Sequence, residues 1–95
     1  MGDGQTWQDV SVSRFINTTY TNTTGKPIYV KITGACTGGD SSAVLYINGA
    51  VIDYYVTGNL NGSVGGIVPP GITYMASGSC WNWLLGSPYG WRELR

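Results

Sequence analysis

The chain has 95 residues, fifteen of them glycine, with five acidic and five basic side chains, no histidine and a formal net charge of zero. That length holds one small domain with a modest core, and the charge balance argues against the electrostatic grip on phosphates that nucleic-acid binding needs. Without histidine, a serine nucleophile lacks its usual base and the two cysteines lack the partners of a zinc site, so composition points away from catalysis and metal binding.

Glycine, threonine, serine and asparagine dominate the polar residues, while twelve aromatics supply apolar area. This mixture suits strands and turns rather than helices or disorder. Residues 1–6 read as a linker or cloning remnant and residues 7–95 as a single domain. No apolar run approaches the length of a membrane span, and the N-terminus lacks the basic-then-apolar build of a signal peptide. Asn17, Asn22 and Asn61 each open an Asn-x-Ser/Thr triplet, which matters only for a chain passing through a eukaryotic secretory route.

In chain order, Trp7, Asp9, Ser11 and Ser13 alternate with Gln8, Val10 and Val12, predicting a first strand or extended arm. Gly25-Lys26-Pro27 is a turn, and the strand after it places Ile28, Val30 and Ile32 on one face, opposite Tyr29, Lys31 and Thr33. A polar loop at 37–42 leads to a strand over Ala43 to Ile47. Asn48-Gly49 then separates that strand from Ala50 to Val56; a type I′ hairpin turn needs positive φ at both central residues, which this pair supplies readily. A loop at 57–62 precedes a strand over Ser63 to Val68, which Pro69-Pro70-Gly71 ends because proline cannot donate to a ladder. Further strands are predicted over Ile72 to Ser77 and Cys80 to Leu85. A loop at 86–90 leads to a closing strand over Trp91 to Leu94. The expectation is an all-β chain, a small antiparallel β-sandwich of about eight short strands.

Among the acids, Asp40 and Asp53 form the one carboxylate pair worth weighing for glycoside chemistry. Asp40 is better explained by an Asx turn in its Gly-Ser loop, and Asp53 is expected to face water or pair with a base. Arg14 is a candidate partner for Asp9 or Glu93; the latter pairing would lock the last strand to the first, and an exposed pair would contribute little. Cys36 and Cys80 are either bridged across a long loop or left as two free, buried thiols. The aromatics concentrate in the second half. In a regular strand Trp81 and Trp83 share a face opposite Asn82, and the adjacent Tyr54 and Tyr55 point to opposite sides. Such rings either pack in the core and at subunit interfaces or form a platform for a sugar ring, whose edges neighbouring polar groups bind.

The segments TWQDVSVSR, TTYTNTTGKPIYVKI, the Asn-Gly hairpin, IVPPGITY and WRELR, in this order, resemble the C-terminal distal domain of phage and prophage tail-fibre proteins. The resemblance runs over nearly the whole chain and is strongest at 4–33 and 67–95. It implies a compact β-sandwich, a homotrimer carried on a trimeric fibre, made in the bacterial cytoplasm and placed at the fibre tip of the virion. The implied role is host attachment: binding a surface glycan, lipopolysaccharide or capsule, with no catalysis, cofactor or membrane insertion. The middle and end depart from the common pattern, and divergent positions are where such tips touch their hosts. Trp81, Trp83, Tyr55, Tyr89 and Asn82 are therefore the expected ligand contacts. Two alternatives stay open: a structural trimerisation and folding cap for the fibre, and a carbohydrate-binding module of a surface depolymerase.

Overall fold

The computed structural model describes residues 4–35, 41–57, 61–78 and 89–95. The strands are β1 (Trp7–Asp9), β2 (Tyr20–Thr21), β3 (Ile28–Ala35), β4 (Ser41–Ile47), β5 (Ala50–Thr57), β6 (Asn61–Val68), β7 (Thr73–Gly78) and β8 (Gly90–Leu94). They form two four-stranded antiparallel sheets, β1-β8-β3-β6 and β2-β7-β4-β5. The molecule is a small β-sandwich, as the patterning predicts.

Period-two alternation builds the core directly. Ile28, Val30 and Ile32 of β3, with Val64 and Val68 of β6, meet Ala43, Leu45 and Ile47 of β4 and Tyr74 and Ala76 of β7. Each of these branched side chains contributes about 1.5–3 kcal/mol by leaving water. Trp91 of β8 is fully buried among them and is the largest side chain of the core. Its ring meets Tyr20 edge-on at 5.8 Å, and Tyr20 also packs on Tyr74 at 5.9 Å.

The Asn-Gly hairpin forms as expected, with φ of 54° at Asn48 and 77° at Gly49. A register shift between Leu45 and Tyr46 leaves Ile52 as the extra residue of a β-bulge in β5. The loops expected at 37–42 and 57–62 are shorter than the composition implied. Ser41 and Ser42 belong to β4, Thr57 to β5, and Asn61 and Gly62 to β6.

The first arm does not continue as one strand. It leaves the sheet after Asp9 because the Asp9 carboxylate accepts hydrogen bonds from both the backbone N–H and the hydroxyl of Ser11, bending the chain into a 3-10 turn over Ser11–Ser13. The Ser11 hydroxyl oxygen in turn accepts the Trp91 backbone N–H at 2.9 Å. The arm is thereby tied to the last strand.

Asn22 fastens the Thr/Asn-rich segment to the sandwich. Its side chain is buried, with Nδ2 donating to the carbonyls of Lys26 at 2.7 Å and Val68 at 2.9 Å. Its Oδ1 accepts from the backbone N–H and hydroxyl of Thr24. Every polar atom of the amide group is used, which leaves no room there for a glycan.

Candidate functional site

Of the expected contact residues, Trp81, Asn82 and Trp83 lie outside the described residues, as do Cys36, Cys80 and the strand expected over Cys80 to Leu85. Tyr89 is half-buried beside β8, and its carbonyl accepts a hydrogen bond from Arg92 Nη2 at 3.4 Å. Tyr55 is 36% exposed. It pairs with Ala43, so it points between the sheets, and its ring lies against Gly62 of the neighbouring sheet. Tyr54 is the outward member of the pair and is 64% exposed.

The three described acids are engaged in the scaffold. Asp53 was expected to face water or pair with a base. Instead its Oδ2 accepts the backbone N–H of Gly65 at 3.0 Å, because β5 and β6 are the free edges of opposite sheets and come together at this corner. The bond satisfies an edge donor that no strand pairs, and it joins the two layers.

Of its two candidate partners Arg14 pairs with Glu93, and the pair is buried: the Glu93 side chain is wholly inaccessible and that of Arg14 is 13% exposed. Glu93 Oε2 accepts from Arg14 Nε at 3.2 Å, Tyr74 Oη at 2.9 Å and Trp91 Nε1 at 3.0 Å. Oε1 accepts from Arg14 Nη2 at 3.1 Å and Arg95 Nη1 at 2.7 Å. The guanidinium of Arg14 also lies over the Tyr20 ring, 4.6 Å from its centre. Burial pushes the Tyr74 phenol up to about 12, and the neighbouring Glu93 carboxylate adds to the effect. Burial disfavours the Arg14 charge, but the hydrogen bonds and charge of Glu93 outweigh it and hold the guanidinium above its ordinary range. This cluster is saturated with internal partners and serves as a lock between the arm, β7 and β8.

The outward faces hold the groups free to meet another molecule. Register places one residue from each strand of the first sheet in a single row: Trp7 opposite Leu94, Leu94 opposite Tyr29, and Tyr29 opposite Ile67. Trp7 is 54% exposed and Ile67 51%. The Trp7 and Tyr29 rings meet at 5.9 Å with their planes 79° apart. The adjoining row is polar, running from Asp9 to Arg92 to Lys31 to Gly65.

The second sheet's outer face differs. Met75 lies opposite Tyr46 and Tyr46 opposite Val51, while Ser77 lies opposite Val44 and Val44 opposite Tyr54. These two rows carry no charged side chain. A recess of about 240 Å³ lies beside them, lined by Thr19, Tyr46, Gly49, Thr73, Tyr74 and Met75.

Compared with known proteins, the chain matches no protein-family model and no curated sequence.

Proposed function

We propose that this domain is the receptor-binding tip of a phage tail fibre, which attaches the virion to a polysaccharide of the host cell surface without turning it over. The observation that carries this reading is the presentation of aromatic side chains to solvent from the outer face of the first sheet, Trp7 half exposed and packed edge-on against Tyr29. Aromatic faces suit the C–H surface of a pyranose, and side chains held on strands lose little further freedom on binding. The engagement of Asp9, Asp53 and Glu93 in structural hydrogen bonds is consistent with binding rather than hydrolysis. Three domains per fibre and several fibres per particle would amplify a weak single contact.

A second reading, a trimerisation and folding cap of the fibre, is favoured by the uncharged outer face around Val44, Tyr46, Val51, Tyr54 and Met75. Apolar patches of this kind are commonly covered in an assembly.

The test is binding of the labelled, folded domain to intact cells of a broad panel of bacterial strains, with Trp81→Ala and Trp83→Ala variants checked for folding by circular dichroism. Attachment to a subset of strains is the expected result. A folded oligomer that ignores every strain would leave the cap as the better reading.

A further inference from the structure

We infer that the outer face of the first sheet binds an anionic polysaccharide, with sugar rings seated on Trp7 and Tyr29 and an acidic substituent held by Lys31. This rests on the receptor-binding reading above and names its ligand class and its site.

The geometry begins at Gly65. A β-carbon on this residue would stand 2.7 Å from the Tyr29 phenol oxygen and 3.2 Å from Lys31 Cδ. Only the missing side chain lets the Tyr29 ring lie low across β6, with the Lys31 stem beside it. The Tyr29 ring and the Lys31 stem therefore share the space over Gly65, and the ammonium beyond it reaches the Ser63 hydroxyl on the same strand. Trp7 meets Tyr29 edge-to-face, so the two rings form a corner. The row from Trp7 to Ile67 crosses three inter-strand gaps, about 14 Å, long enough for a short run of sugars.

Charge selects the ligand. On the polar row Asp9 lies 3.9 Å from Arg92. The Ser11 hydrogen bonds hold its carboxyl below the usual range, so it stays ionised and balances that guanidinium at neutral pH. Lys31 is exposed and donates to the Ser63 hydroxyl at 3.3 Å, and among the described residues it makes no ion pair. With Lys31 and Arg92 against Asp9, the described side chains of this face carry a net positive charge beside the aromatic row. A second copy of the same face would bring like charges together, whereas a carboxylate or phosphate on a sugar would complement Lys31.

The experiment uses a strain that the wild-type chain binds and the surface polysaccharide purified from it. Affinity is measured for wild type, Trp7→Ala, Lys31→Gln and, as a control on the opposite face, Tyr54→Ala. We expect Trp7→Ala and Lys31→Gln each to weaken binding about tenfold or more, as loss of a central contact does, with Tyr54→Ala unchanged. Lys31 is exposed, so its variant keeps the test valid if Trp7→Ala fails to fold. Reduction of the polymer's carboxylates, or its dephosphorylation, is expected to reproduce the Lys31→Gln loss and identifies which acid group is read. Wild-type affinity retained by both variants, or by polymer stripped of both acid groups, would overturn the inference and leave the receptor-binding reading standing. Loss of cell binding after protease treatment of the cells would overturn it in favour of a protein receptor. If no strain is bound at all, the receptor-binding reading fails and the inference falls with it.

Discussion

Arg14 grips the buried carboxylate of Glu93 through two hydrogen bonds, Nε to Oε2 at 3.2 Å and Nη2 to Oε1 at 3.1 Å, across 79 residues of sequence. The bidentate fork suits a guanidinium and not an ammonium. Glu93→Gln keeps the shape of the side chain but leaves Arg14 enclosed without its anion, and is expected to cost about 3–5 kcal/mol. Urea unfolding followed by circular dichroism checks this as a lower midpoint at unchanged slope. Arg14→Lys is expected to lose much of the same stability, because one point charge cannot span both oxygens.

Tyr74 predicts a loss of stability in alkali. Its phenol is pushed up to about 12 from an ordinary value of 10.0, chiefly by burial and then by the Glu93 carboxylate. The folded chain thus holds this proton more tightly than the unfolded chain. Its contribution is complete below about pH 10 and is lost as pH rises towards 12, a fall on the order of 2–3 kcal/mol. Tyr74→Phe should be less stable at neutral pH but decline less steeply over this window. Parallel decline of the two proteins would assign the alkaline loss to other groups.

Asn22 anchors its segment by hydrogen bonds in both directions. Asn22→Ala removes both Nδ2 donors, leaving the Val68 carbonyl inside the fold without that bond while the Lys26 carbonyl keeps the Thr24 hydroxyl, and is expected to cost about 1–3 kcal/mol. Asn22→Asp is expected to be no better, since a carboxylate would face the same two carbonyls with no N–H to offer. Thermal unfolding of the two variants beside wild type measures both.

The corner between the sheets is open to a local probe. Asp53→Ala removes the acceptor for the Gly65 N–H, which should exchange with solvent faster, with a stability loss of about 1–2 kcal/mol. Asp53→Asn retains a carbonyl oxygen and should preserve most of the protection. Amide exchange read by NMR at Gly65 separates the two outcomes.

Strand β3 and the Asn48-Gly49 hairpin were legible because their signals are local. Alternation assigns Ile28, Val30 and Ile32 to one face whatever lies opposite, and positive φ at Asn48 and Gly49 is a preference of those two residues themselves. Strand β2, only Tyr20–Thr21, is too short to show alternation and exists because β7 pairs with it. The 3-10 turn at Ser11–Ser13 was hidden for a related reason: side-chain capture by Asp9 overrode a pattern that otherwise reads as extended.

The candidate surface was less legible than the fold. Trp7 and Tyr29 read from the sequence only as members of two separate strands, because nothing in the order of residues joins positions 7, 94, 29 and 67. By itself the sequence determined the all-β class, the turns and the two faces of β3, since these follow from period two and residue-level φ preferences. Only the tertiary structure decided that Glu93 is enclosed by Arg14, Tyr74 and Trp91, that Asp53 closes the corner, and that an aromatic row runs beside Lys31. Those arrangements depend on strand order and register, which are set by the packing of whole faces rather than by any neighbour in the chain.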